Sequence, residues 1–298
     1  MKLKILPNFI IVGAPKAGTT SRYHYLSEHP QVFMSTPKEV NFFSSKEIIE
    51  QGLYYKSHLI EKWSEYLELF KEAGDRKAIG EGSVSYLFYP HTPEKIKEKL
   101  ADVKIIILLR NPTKRAFSHY LMDYRMGLVS ESFEQIIYKK NNSILDKLHY
   151  QQYVELGMYY QQVKRYLDTF GNDQVKVFLQ EDLRYRQKDV IRDLYRFLDL
   201  NDYELQKSGQ EHNSFTMPKN KFIHGLYSSI FIRTIASFLF RDTVKEKVKD
   251  LLFERKKKPK LEENTRNYLY DIYHDDLKKL EKLIERDLSL WTNKKRKK

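Results

Sequence analysis

Between Gly13 and Thr20 the chain reads Gly-Ala-Pro-Lys-Ala-Gly-Thr-Thr, with Ser21 next, so two glycines bracket a lysine just ahead of three hydroxyls. A loop of this kind, leaving a buried strand and opening a helix, turns backbone N–H groups toward an anion. The triphosphate-binding pattern G-x-x-x-x-G-K-[ST] matches at both glycines and at the final threonine. Thr19 stands where its lysine belongs, and a lysine appears three positions earlier, at Lys16. Phosphoryl transfer uses that lysine together with magnesium to manage charge spread over two phosphates. A transferred group with a single negative charge makes a smaller demand, which one lysine at the bridging oxygen can meet without metal. For the loop alone, the competing reading is a tight turn carrying a solvated lysine.

Two further places could do chemistry. Arg110 ends the apolar run Val103 to Leu109 and is followed by Asn111-Pro112, with Ser118 eight residues later. Doubly wound sheets bind ligands at such strand ends, which suits Arg110 to an anion, although a structural partnership with Glu81 or Asp123 stays open. Glu39 sits in Pro37-Lys38-Glu39-Val40-Asn41-Phe42-Phe43, a polar pair flanked by residues that pack on a core. It is a candidate general base, set against the ordinary case of a solvated glutamate beside a lysine. His119 reads as packing, and Glu181-Asp182 as a helix cap. The nine histidines show no ligand spacing and there is no cysteine, so thiolate chemistry, disulfides and cysteine-held zinc are excluded and no metal site is expected.

The elements that must position these groups alternate in type. Phe9-Ile10-Ile11-Val12 is a continuous apolar run ending at Gly13, as a parallel strand buried on both faces requires. Thr19, Thr20 and Ser21 are good caps for a helix that continues from Arg22 until Pro30 stops it. Val103 to Leu109 is a second buried strand, with an amphipathic helix from about Thr113 to Met126 behind it. Lys77 to Glu81 and Gln174 to Leu179 are further strands, the latter preceded by a helix over Met158 to Phe170. The alternation predicts an α/β fold, a mostly parallel central sheet flanked by helices. Leu269, Ile272, Tyr273, Leu277, Leu280 and Ile284 mark the apolar face of a helical C-terminal part, ahead of Trp291. One domain over 1–298 is expected, with an ordered core from about 8 to 291 and a basic tail over 292–298.

Together these blocks resemble the PAPS-dependent sulfotransferases, in particular the carbohydrate-modifying branch with the heparan sulfate 3-O- and N-sulfotransferases and their bacterial relatives. The resemblance implies a P-loop-like sulfotransferase fold. It also implies transfer of a sulfuryl group from 3′-phosphoadenosine 5′-phosphosulfate (PAPS) to a hydroxyl or amine of a carbohydrate-like acceptor, without metal. Pro15 to Ser21 matches the family's 5′-phosphosulfate loop, which assigns Lys16, Ala17, Gly18, Thr19, Thr20 and Ser21 to the donor and makes Lys16 the electrostatic catalyst. Leu108 to Tyr120 matches the 3′-phosphate motif, with Arg110 and Ser118 as its ligands. Pro37 to Phe43 resembles the segment whose glutamate is the catalytic base, so Glu39 inherits that role. Arg255-Lys256-Lys257-Lys258-Pro259 resembles a late basic loop that closes over the nucleotide, which adds Arg255, Lys256 and Lys257 to the donor site. Asn41 stands where the heparan 3-O-sulfotransferases carry a histidine, and Glu81-Gly82 replaces their Glu-Lys, which weakens the case for a heparan-like acceptor and leaves the donor site unaffected.

Bulk composition bounds the partners. The 298 residues are 41% hydrophobic, enough for a sizeable core, and the formal net charge is +13. From Arg241 onward 19 basic residues face 12 acidic ones, so more than half of that excess lies in the last fifth of the chain. A polyanionic partner follows, and an anionic glycan is preferred to nucleic acid. Two rival readings remain at this level: a P-loop kinase-like phosphotransferase, and a basic nucleic-acid or membrane-surface binding module. Phe222 to Phe240 is as long as a bilayer span but contains His224, Gly225 and Arg233, which favours a buried or interfacial helix. Met1 to Leu6, broken by Pro7, does not read as a signal peptide, so a cytoplasmic protein, free or peripheral at a membrane surface, is expected.

Overall fold

Five short strands form a single parallel sheet: β1 (Phe9–Gly13), β2 (Val32–Met34), β3 (Ala78–Gly82), β4 (Lys104–Leu109) and β5 (Val175–Leu179). The computed structural model describes residues 5–55, 59–138, 143–204, 217–218, 253–254 and 259–292. The strand order is β2-β3-β1-β4-β5, with every neighbouring pair parallel. β1 and β3 are buried along their whole length, as expected for strands covered on both faces, while β5 at the sheet edge exposes Lys176 and half-exposes Val177. Because all five strands point the same way, every strand end that carries a candidate residue opens onto one edge of the sheet.

Helices make the crossovers. α1 (Thr19–Glu28) joins β1 to β2, and α2 (Ser45–Gln51) with α3 (Trp63–Glu68) lies between β2 and β3. After β3 come α4 (Thr92–Lys99), then β4, α5 (Pro112–Met126), α6 (Phe133–Tyr138), α7 (Ile144–Tyr153) and α8 (Tyr159–Phe170). Beyond β5 follow α9 (Gln180–Tyr185) and α10 (Gln187–Phe197), and then α11 (Glu263–Leu283) and α12 (Ser289–Thr292). The start of α5 follows from local chemistry: Asn111 accepts the Lys114 amide at 3.0 Å as N-cap, and Pro112 occupies the first turn, where no amide is needed. α7 opens on a capping box made by Ser143 and Asp146. α11 buries Leu269, Tyr273, Leu277 and Leu280 and packs on α8 and α5, so the predicted C-terminal helix closes the core.

A short antiparallel pair, Met217–Pro218 with Glu254–Phe253, stands apart from the main sheet. The apolar stretch over 222–240 and the basic residues Arg255, Lys256 and Lys257 lie outside the described residues. Among those described, no helix is long and apolar enough to cross a membrane.

Candidate active site

The glycine loop leaves β1 and is pinned to β4 at once, where the Ala14 amide donates to the Leu108 carbonyl at 2.7 Å. Gly13 has no alternative there: a Cβ would lie 2.7 Å from the Leu87 Cβ. Gly18, at φ +96°, is the N-cap of α1. The sequence offered Thr19, Thr20 and Ser21 as caps, yet no side chain caps this helix. Its first-turn amides therefore point out of the helix end without a protein side chain to receive them, which is the condition for holding an anion. Lys16 sits within the loop at φ +66°, a strained region for a side-chain-bearing residue, and its Nζ donates to Met122 Sδ at 3.3 Å.

Arg110 leaves the end of β4 and turns toward the same loop: its Nη1 donates to the Lys16 carbonyl at 2.9 Å. The Arg110 carbonyl in turn accepts the Tyr159 hydroxyl at 3.0 Å, so α8 holds the strand end in place. Arg110 Nε and Arg22 Nε are buried without a hydrogen-bond partner. Burial lowers the pKa of both guanidinium groups, that of Arg22 to about 10. Neither Glu81 nor Asp123 is the partner of Arg110. Glu81 is held by Tyr66, Tyr86 and Ser83, and Asp123 by Tyr54, Tyr55 and Tyr153. The carboxylate that does act on Arg110 is Glu181, whose charge opposes the effect of burial on it. Glu181 does not cap α9 as the sequence predicted, and its neighbour Asp182 pairs with Arg186 and Arg286 at 3.0 and 2.6 Å.

Glu39 follows β2 and faces the loop from the other side of β1. Its Oε2 accepts the Val84 amide at 2.8 Å, its Oε1 pairs with Lys38, and its own amide donates to the Gly82 carbonyl at 3.0 Å. Glu39 and Asn41 both adopt positive φ, +64° and +54°, so three of the five non-glycine residues with that backbone among the described residues lie at this site. Ser118 is half-buried on α5.

Lys16, Gly18, Thr19, Thr20, Ser21, Arg110, Ser118 and Glu39 all line one open cleft of about 1110 Å³ along the C-terminal edge of the sheet. Ala17 is buried beneath it. One face of α5 forms a wall, with Lys114, Ser118, Met122 and Arg125 spaced three or four residues apart. Arg22, Lys114 and Arg125 were not singled out by sequence reasoning, although the helical spacing from Ser118 is the signal that finds the last two. His119 is packing, as read: it is buried, its Nδ1 lies 3.0 Å from the Gln152 carbonyl, and burial pushes its pKa well down. Among the described residues no cluster of His, Asp or Glu side chains could hold a metal ion.

The donor set fits a ligand with two anionic ends. Uncapped amides and an ammonium lie at the end of β1, and a desolvated guanidinium with an unused N–H lies at the end of the adjacent β4. The family model of the sulfotransferase domain matches residues 6–283. The chain is 32% identical over 149 residues to the membrane-associated sulfotransferase kil1 of Dictyostelium discoideum, 48% of this chain and 30% of that one. It is 26% identical over 212 residues to the bifunctional heparan sulfate N-deacetylase/N-sulfotransferase 1 of Caenorhabditis elegans, 68% of this chain and 23% of that one. With carbohydrate sulfotransferase 15 of Rattus norvegicus it shares 24% over 256 residues, 67% of this chain and 45% of that one. The chain thus spans less than half the length of these curated relatives. The crystal structure of a sulfotransferase from Alicyclobacillus acidocaldarius superposes with a TM-score of 0.72 at 31% identity, covering 97% of this chain and all of that one. The sulfotransferase-domain model spans this chain almost end to end, and with the early-placed lysine in an uncapped glycine loop on a parallel sheet, the chain belongs to the sulfotransferase family.

Proposed function

We propose that this single-domain chain transfers the sulfuryl group of PAPS to a hydroxyl or amine of a carbohydrate-like acceptor, with Glu39 as general base and Lys16 stabilising the leaving phosphate. The observation that carries the reading is the hydrogen bond from Arg110 Nη1 to the Lys16 carbonyl, which brings two separate anion sites to one cleft that also contains Glu39. PAPS, when bound, supplies a sulfuryl group attached to a phosphate that must take up negative charge as it departs. In this reading the amides of Gly18 to Ser21 and the Lys16 ammonium would receive the 5′ end, and Arg110 with Ser118 the 3′-phosphate. Glu39 is fixed by the Val84 amide and Lys38 as an oriented carboxylate, able to take the acceptor proton onto an oxygen while the cleft positions the reactants. Thr19, in the place of a P-loop lysine, argues against phosphoryl transfer.

The acceptor assignment draws on relatives named for heparan sulfate and carbohydrate sulfation. It also draws on the cleft near Glu39, where Asn41 and Ser85 offer polar groups beside the rings of Phe88 and Tyr89. The cleft's cations suit an anionic glycan.

The test combines binding and turnover. The protein is expected to be stabilised against heat by 3′-phosphoadenosine 5′-phosphate and not by ADP, because only the former fills both anion sites. Lys16→Ala and Glu39→Ala are expected to fold and to lose turnover by about 10²- to 10⁴-fold with labelled PAPS and a glycan panel. Near-normal turnover in either variant removes the role assigned to that residue, and magnesium-dependent transfer from ATP overturns the donor.

A further inference from the structure

We infer that Glu81 is a positioning residue for Glu39, acting through the hydroxyls of Ser83 and Tyr86 on the backbone that carries the base. The inference rests on the reading of Glu39 given above. Glu81 is fully buried in β3, inside the sheet, where an acidic side chain is costly. Its Oε1 accepts the hydroxyls of Tyr66 and Tyr86, each at 2.9 Å, and its Oε2 accepts Ser83 Oγ at 2.8 Å. Among the described residues it makes no salt bridge, so hydroxyls alone hold it.

That composition fixes a direction. A hydroxyl has one proton to donate, and an ionised carboxylate only accepts. Ser83 and Tyr86 therefore give their protons to Glu81 and turn lone pairs outward. Those lone pairs meet backbone amides of the segment after Glu39: Asn41 N donates to Ser83 Oγ at 3.1 Å, and Phe43 N to Tyr86 OH at 3.4 Å. Asn41 passes the order on, its Nδ2 donating to the Glu39 carbonyl at 2.6 Å and its Oδ1 accepting Ser85 Oγ at 2.6 Å. The loop after β2 is thus laced to the loop after β3, with Glu81 at the root. A proton on Glu81 would add a donor to a cage that has no acceptor to spare and leave one hydroxyl proton without a partner.

The titratable groups facing Glu81 are Tyr66 on α3, Tyr86 in its own loop, Glu39, Tyr23 on α1 and Tyr166 on α8. Burial raises all four phenols, so none ionises near neutrality. Burial also pushes the Glu81 carboxyl up to about 7 against the pull of its three hydroxyl donors, and the Glu39 charge adds to the rise. The cage is complete above that pH and incomplete below it.

The test is Glu81→Gln in the full chain, which keeps volume and removes the charge. Wild-type turnover should rise with pH through about 7. The variant should lack that limb and lose kcat by about 10- to 100-fold, the cost of misplacing a reacting group. Stabilisation by 3′-phosphoadenosine 5′-phosphate should be unchanged, and adding Ser83→Ala should cost little more, since both changes break one chain of bonds. Amide hydrogen exchange over residues 39–44 should show a pH step in the wild type and none in the variant. Wild-type kcat and pH profile in Glu81→Gln overturn the proposal, as does loss of nucleotide binding in parallel with turnover, which marks a purely structural residue. If Glu81→Gln does not fold, Ser83→Ala is tested alone and must itself lower kcat, or the proposal fails. Absence of any PAPS-dependent turnover in the wild type refutes the function proposed above, and the exchange step then decides the positioning role by itself.

Discussion

Asp123 is the second buried carboxylate held by hydroxyls, and it lies close enough to Lys16 for that ammonium to lower its pKa somewhat. Its Oδ2 accepts Tyr54 and Tyr153 at 2.8 Å and Tyr55 at 2.6 Å. Burial outweighs these bonds and pushes the carboxyl up to about 6. The sign follows: an acid with a raised folded-state pKa binds its proton more tightly folded than unfolded, so its contribution falls as pH climbs from the ordinary aspartate value to about 6. Relative to Asp123→Asn, which cannot titrate, the wild type should lose on the order of 3 kcal/mol over that window and nothing further above it. Denaturant unfolding of the pair across pH checks this, and a constant difference would contradict it. His119 runs the other way, since burial holds its ring neutral and only the unfolded chain takes up a proton below the ordinary histidine pKa. Lys16, Glu39, Arg110 and Ser118 were legible as site candidates because each sits at a strand end or on the helix behind one. The two hydroxyl cages were not, since Tyr54 meets Asp123 across 69 residues and Asn41 meets Ser83 across 42.

Among elements, legibility tracked length and burial. β1, β4 and β5, with the helix after β4 and the helix before β5, were predicted within a residue or two, whereas α1 begins at Thr19, three residues before the predicted Arg22, and α4 was not predicted. The strand predicted over Lys77 to Glu81 forms at Ala78–Gly82. β2 escaped: three residues, Val32–Met34, are too few for a periodic pattern, and only pairing with β3 makes them a strand. The short helices α2 and α3 carry equally little signal. The C-terminal helix was predicted from its apolar face, but its attachment was not. Tyr273 on α11 reaches past Gly157, its hydroxyl proton shared between the carbonyls of Val154 at 3.0 Å and Tyr153 at 3.3 Å. A Cβ at position 157 would sit 2.9 Å from the Tyr273 ring and 3.0 Å from Pro112. Gly157→Ala should therefore cost about 1–3 kcal/mol by overpacking. It should also speed proteolysis within α11, and an unchanged melting temperature would show that the helix yields without strain.

At the scale of the molecule, the strand order decides what the cleft can do. β1 is central, so the glycine loop lies between the Glu39 and Val84 loops on one side and the Arg110 end of β4 on the other. Six cations and two carboxylates line the described cleft, so the charge excess in the last fifth of the chain is not the only positive field. α5 runs beside this axis as a graduated rod, its side chains marking off stations from Lys114 to Arg125 at about 5.4 Å per turn. A rod with fixed graduations tolerates exchange of a mark far better than a change of count. One residue inserted after Ser118 would swing every later mark by about 100°, carrying Met122 away from the Lys16 ammonium while Arg110 and Ser118 keep their places. It would also turn Asp123 out of its three tyrosines, so the melting temperature should fall further than for Lys114→Ala or Arg125→Ala, which alter marks that face the cleft.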